Sequence, residues 1–235
     1  VVDRCCIAVT APKNDGPVSR QEALRRMQNS HRLTCMYWND PELVVQELET
    51  TLASIFFGGE ALPQLSMNFG ASGHAAYFGS PRIIDERTLW LKESLHDWSR
   101  LWGLDWNSGM LQVQRRCAEY FAQAASDRFF VSTVDNAGSL DALAHLRRNE
   151  NALVDLAVNE ENVLKALDTI IDGWDQADEY TYQIFKTCND GGALVGWLHI
   201  WADGKFSHLK ADISVMLSNP MFKKYLVVDH SSKNT

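Results

Sequence analysis

The sequence predicts an α/β fold, a TIM-type (β/α) barrel incomplete in this chain, and three observations lead there. Short apolar runs over residues 5–10, 61–69, 128–134 and 193–201 read as strands. Stretches with apolar residues three and four apart, the spacing of a helix stripe, fill the gaps between them. The resulting order is strand, helices, strand, helix, strand, helices, strand, which packs as a parallel sheet with helices outside. A closed barrel needs eight strands. Four strands and a shorter fifth are expected here, in one domain over residues 1–235.

Each element has its own local reason. Residues 5–10 (CCIAVT) stop at Ala11-Pro12, the pattern of a buried strand. Ser19-Arg20-Gln21-Glu22 is a capping-box pattern, so a helix is expected from there to about residue 33. Asp40-Pro41 signals a second helix start. Leu43, Val44, Leu48, Leu52 and Ile55 keep its spacing until Gly58-Gly59. Residues 61–69 form a strand that runs into the small-residue loop 70–74, and 81–91 is an extended excursion. Met110, Leu111, Val113, Cys117, Tyr120, Phe121 and Ala124 mark a helix over 108–125. The strand at 128–134 stops at Asp135-Asn136. Helices follow over 139–148, 151–158 and 160–187, then the strand 193–201 and a short strand at 213–216. Asn219-Pro220 opens a last helix, and the polar tail 229–235 is expected to fray.

Composition narrows the function classes. Hydrophobic residues make up 46% and charged residues 22%, the balance of a soluble globular protein. The net charge is −8 with no basic stripe, which argues against a nucleic-acid partner. No run of about 18 apolar residues suggests a membrane helix. Five cysteines, an odd number without paired spacing, point to free thiols in a reducing, cytoplasmic compartment. Eight tryptophans favour an aromatic-lined cavity. The chain opens at Val1 rather than Met and carries no signal segment, which predicts processing or a fragment boundary.

Candidate chemistry concentrates at the ends of the expected strands. On a strand over 193–201, Val195, Trp197, His199 and Trp201 share one face; Leu194, Gly196, Leu198 and Ile200 share the other. The first set places an imidazole between two indoles at the end where barrel active sites sit. His199 is therefore a candidate catalytic acid or base, the alternative being a buried His paired with a backbone carbonyl. Asn68 and Asp135 end two other strands and would converge on the same mouth as substrate-binding residues; singly, each also suits a turn. Trp90, Trp197 and Trp201 are candidate walls. Gly70-x-x-Gly73 reads as a structural turn more than an anion cradle, and His31 with Cys35 lacks the second pair that a metal needs. Neither a hydrolase elbow nor a dinucleotide fingerprint is present.

Three segments resemble the uroporphyrinogen decarboxylase superfamily, which includes the corrinoid-dependent methyltransferases. SLDALAHLRRNENALVDLAVNEENV (139–163) is similar to a helix ending in an Arg-Gly-x-Glu-type turn and continuing as a Leu-rich helix, with Arg148 here in the place of the Gly. ADISVMLSNPMFKKYLV (211–227) is similar to the signature Asp-x-Ser-x-Met-Ile-Ser-Pro-x-x-Phe, with Asn219 inserted before Pro220. The loop 70–79 with Thr88 and Trp90 is similar to a Gly-rich turn followed by Thr-x-Trp. The resemblance covers the N-terminal and middle parts of that family's pattern. The usual C-terminal strands and the Arg-Gln-Ala-Gly-Arg-Tyr motif of the porphyrin enzymes are not matched.

The resemblance implies methyl transfer on a small substrate, to or from a corrinoid carried by a partner protein. A zinc site would lie beyond this chain, and no metal is expected within it. The second expectation is decarboxylation of a tetrapyrrole-like or other carboxylated substrate, with His199 or Asp212 as the acid. Asp212 stands inside the signature-like segment, where a turn Asp is the plainer alternative. A third is a truncated, non-catalytic binding module. An unclosed barrel leaves edges that favour self-association.

Overall fold

The computed structural model describes residues 6–28, 40–67, 69–70, 73–79, 82–84, 89–100, 103–135, 138–208 and 210–227. Asn68, Cys5, His31, Cys35 and Thr88 lie outside them. The chain is α/β, with long helices and small sheets.

The N-terminal strand β1 (Ala8–Pro12) is exposed rather than buried. It pairs antiparallel with β2 (Ile55–Gly59) as a two-stranded ribbon, Thr10 opposite Phe57. Helix α1 (Arg20–Gln28) starts where the capping pattern put it: Ser19 Oγ accepts from Glu22 N–H at 3.2 Å. The Glu22 carboxylate turns instead to Arg25 and Arg26. Helix α2 (Pro41–Ser54) is capped by Asp40, whose Oδ1 accepts from Leu43 N–H at 3.0 Å. It ends at Ser54, earlier than Gly58-Gly59. Ile55, Phe56 and Phe57 are β-branched or aromatic and take the ribbon strand instead.

The centre of the sheet structure is small. Strand β3 (Gln64–Leu65) pairs parallel with β6 (Phe130–Val131). Between them the chain forms a 3₁₀ helix (Gly73–Phe78), the antiparallel hairpin β4 (Arg82–Ile84) and β5 (Leu89–Leu91), and α3 (Gly109–Ala125). Beyond β6 come α4 (Ser139–Arg147), α5 (Asn149–Val158) and the 26-residue α6 (Glu160–Phe185). The run at 193–201 is not one strand. It is β7 (Ala193–Val195), a 3₁₀ turn (Gly196–Leu198) and β8 (Ile200–Ala202), folded back antiparallel with Leu194 opposite Trp201. An apolar run has the same look whether it is straight or folded, because the residues of a tight hairpin are as apolar as those of a strand. A backbone bond, Thr133 N–H to Leu194 O at 3.2 Å, sets β7 beside the end of β6. Residues 212–216 are 3₁₀ helix rather than strand, and α7 (Asn219–Phe222) runs into a π-helical turn (Lys223–Val227).

No closed barrel is formed among the described strands. One contiguous core holds the layers together, from Val44 on α2 through Phe121 on α3, Leu143 on α4 and Ile170 on α6 to Tyr225. Gly173 matters to it. A Cβ there would stand 2.6 Å from the Phe78 ring and would displace it, so the glycine lets that ring lie against α6. A buried chain of bonds ties the same layers: Tyr77 donates to Gln114, and Gln114 Nε2 donates to Thr181 Oγ1 at 3.0 Å.

Candidate functional site

Past the end of β6 the chain runs through Ser132, Thr133 and Val134 to Asp135, which carries the first charged group of the site. A second segment, residues 207–213, is delivered to Asp135 by a single carboxylate at the start of α4. Asp141 accepts three backbone N–H groups: Gly138 at 3.2 Å, Asp212 at 2.9 Å and Ile213 at 2.8 Å. The approach is close enough that Gly138 could carry no side chain, since a Cβ would sit 2.4 Å from Lys210 O. Burial raises the Asp141 carboxyl, and the neighbouring Asp212 charge adds to this against the three donors.

Held there, two basic side chains meet Asp135. Lys210 Nζ lies 2.7 Å from Asp135 Oδ1, and His208 Nε2 lies 3.3 Å from the same oxygen. The imidazole is not aligned for a hydrogen bond, and neither of its buried ring nitrogens has a hydrogen-bond partner among the described residues. Burial alone would raise the Asp135 carboxyl, but His208 and Lys210 outweigh it and hold it below the usual carboxylate range. Trp197 covers the pair. Its ring is 5.3 Å from Lys210 Nζ and 5.3 Å from the His208 ring, edge-on at 81°. It remains 51% exposed, an aromatic surface offered to solvent beside a half-buried charge cluster.

A deeper layer lies on the 3₁₀ helix and α6. His74 is buried, its ring 6.3 Å from the Trp174 ring. Burial pushes its imidazole down to about 3, reinforced by His145, Lys210 and His208 and opposed by Asp135. His74 Nδ1 and Trp174 Nε1 have no hydrogen-bond partner among the described residues. One turn along α6, burial raises Asp178 to about 6, while Lys205, 4.0 Å from Asp178 Oδ2, works the other way.

Of the residues singled out in the sequence, Asp135 and Trp197 are brought together here. His199 is not. It sits at the hairpin turn with φ +54, exposed, with Gln64 Nε2 2.7 Å from its Nδ1. The shared face with Trp197 and Trp201 does not exist, because the chain reverses between them. Trp201 donates from Nε1 to Asn189 O at 2.9 Å. The Asn189 amide in turn clamps the Val131 backbone with bonds of 2.9 and 2.8 Å, so Trp201 has a packing role. Asp212 contributes its backbone N–H to Asp141, and its side chain is exposed. Trp90 is on the β4–β5 hairpin, 58% exposed.

His208, Lys210, His74 and Trp174 were not singled out. The alternation His208-x-Lys210-x-Asp212 was a legible signal of charges on one side of an extended segment. No group of three or more His, Cys, Asp or Glu is placed to hold a metal among the described residues. No helix among them is long and apolar enough to cross a membrane. Fold and site together define an α/β protein with a carboxylate–imidazole–ammonium cluster under a tryptophan at the end of a parallel strand pair. No family model, no curated protein and no solved structure matches the chain.

Proposed function

We propose that this chain is an acid–base enzyme acting on a small carboxylated molecule, a decarboxylase of the kind that the uroporphyrinogen decarboxylase resemblance implies. The carrying observation is the meeting of Asp135, His208 and Lys210 beneath Trp197 at the end of β6. In this reading Lys210 binds the substrate carboxylate as a point charge, and Trp197 stacks on its unsaturated body. His208, 3.3 Å from Asp135, delivers the proton to the carbon that loses carbon dioxide. The carbon–carbon bond breaks, its electron pair stays on that carbon, and the imidazolium proton takes it up; water then restores the proton to His208. The acid is His208 rather than His199 or Asp212.

Two features support the family resemblance and the incomplete (β/α) barrel it implies. The first is Arg148, which holds φ +73, ψ 141 between α4 and α5, where the family pattern has glycine. That backbone region is costly for any residue with a Cβ, which is the physical reason a glycine suits it. The second is the signature-like segment after Ala211, which is bonded to the start of α4 through Asp141. The free thiols Cys117 and Cys188, both raised to about 11 by burial, fit a reducing cytoplasmic setting. No step here runs through a metal or a corrinoid.

The test is release of labelled carbon dioxide from a panel of pyrrole-carboxylic and oxo acids, beside a parallel assay with methylcobalamin and a thiol acceptor. Release that falls at least 100-fold in both His208→Gln and Lys210→Met is expected. Methyl transfer from methylcobalamin without any release of carbon dioxide would overturn the reading in favour of the methyltransferases. Binding of the acids without turnover would favour a binding module.

A further inference from the structure

The decarboxylase reading uses His208, Lys210 and Asp135 and leaves two buried groups beside them without a task. Trp174 Nε1 is a donor and nothing else, and it is sealed from solvent with no acceptor among the described residues. His74 Nδ1 is in the same condition, on a ring that is 1% exposed. Folded chains pair such groups almost without exception, because an unmade buried hydrogen bond is expensive. Two orphans with rings 6.3 Å apart, on different elements, beside a charged cluster, mark a place prepared for a group that brings its own lone pairs.

The charge of that group follows from the surroundings. His74 follows Gly73, where a Cβ would stand 3.4 Å from Val134, the residue before Asp135, so the 3₁₀ helix that carries it packs beside this site, and its imidazole feels the charges of Asp135, Lys210 and His208. Burial holds it neutral, and Trp174 cannot carry charge. Both ammonium groups near by are committed: Lys205 to Asp175 and Glu179, and Lys210, beside Asp135, to the substrate carboxylate that it anchors. Asp178, one turn from Trp174, adds negative rather than positive character. A second carboxylate placed against His74 and Trp174 would be buried without a counter-ion, which is prohibitive. An uncharged oxygen is satisfied by an indole N–H and a neutral imidazole.

We propose that His74 and Trp174 form a buried specificity subsite for an uncharged carbonyl oxygen, so that the substrates of this site are oxo acids. The proposal rests on the reading of Lys210 as the carboxylate anchor. The carboxylate stays at Lys210 under Trp197, and the carbonyl reaches inward to Trp174 Nε1–H. The nitrogens are out of reach of water, so entry requires opening.

The experiment follows the indole N–H signals of the native chain with ¹⁵N-labelled tryptophan, Trp174 being assigned by its loss in Trp174→Phe. The probes are 4-oxopentanoate, pentanoate and 2-pentanone. Expected are a saturable shift of the Trp174 signal with 4-oxopentanoate and at least fivefold tighter binding of it than of pentanoate. That preference should vanish in Trp174→Phe while both acids still bind. Equal affinity of the two acids, both weakened in Lys210→Met, would overturn the carbonyl subsite and leave the anchor standing. A Trp174 shift as large with pentanoate would also overturn it, in favour of a carboxylate. Binding of 4-oxopentanoate and 2-pentanone that ignores Lys210→Met would overturn the anchor and keep the subsite. Binding of none of the three would overturn both.

Discussion

Two buried polar centres stand at the same end of this molecule, and they are built on opposite terms. Asp141 has three backbone donors on its two oxygens and is fully used. His74 is as deeply set, Trp174 and His208 are half-buried, and four of their ring nitrogens have no hydrogen-bond partner among the described residues. The first centre spends its hydrogen-bonding capacity on holding residues 210–213 against α4. The second holds nothing. A satisfied buried group is what a fold needs for its own stability; unsatisfied ones are retained where something else is to be bound. The contrast separates the scaffold from the site more sharply than burial does, since both are buried.

The largest effect expected of this contrast is in acid. His74 is held near 3 when folded and returns to about 6.5 when unfolded, so the unfolded chain binds its proton first. The stability this histidine contributes is complete above pH 6.5 and is lost as pH falls toward 3, up to about 5 kcal/mol in all. In His74→Leu that loss should disappear. Urea unfolding at pH 7 and pH 4 measures it: the variant should lose far less stability between the two than the native chain. An equal loss in both would mean that the ring is satisfied and titrates normally.

Next comes the scaffold centre. Asp141→Ala removes the acceptor of three N–H groups at once. With hydrogen bonds to a charged group near 1.5 kcal/mol each, the chain should lose about 4 kcal/mol of stability, seen as a large drop in the thermal midpoint at pH 7. Asp141→Asn keeps one acceptor and should fall in between. A loss below 1 kcal/mol in the alanine variant would erase the distinction between the two centres.

Sequence patterning reached the helices because they carry their start signals locally. Asp40 and Ser108 cap α2 and α3 as their residue types dictate, and the boundaries of α4, α5 and α6 follow the apolar stripe. Strands were less legible because their meaning lies in the partner. The run at 193–201 fits a straight strand as well as a hairpin, and only the turn geometry at Gly196 and His199 divides it. Ile55, Phe56 and Phe57 continue a helical stripe, yet β1 offers them a ladder. The site divides in the same way. Asp135 and Trp197 were visible as strand-end residues. His208 and Lys210 were not, because what places them is Asp141, 71 positions from the residue it grips. His74 and Trp174 left no signal at all: being unpaired is a property of the folded neighbourhood.

The smallest effect is the most specific to the unsatisfied centre. Asp178 sits one turn from Trp174, and burial lifts its carboxyl from 3.8 to about 6 against the pull of Lys205. A raised folded value means that the folded chain holds this proton more tightly than the unfolded one. Stability from this group is therefore full below pH 3.8, declines as pH rises to about 6 and is flat above that, the opposite sense to His74. The total is about 2 kcal/mol once the partly exposed Lys205 is allowed for. Between pH 4 and 6 the two groups oppose one another, so the native chain shows a shallower slope than either alone. Asp178→Asn removes one side of that balance. Its stability relative to the native chain should rise by about 2 kcal/mol between pH 4 and pH 8, and its own profile should steepen on the acid side, where His74 then acts unopposed. A variant whose difference from the native chain does not change with pH would place Asp178 among ordinary solvated carboxylates and return the inner face of α6 to the scaffold.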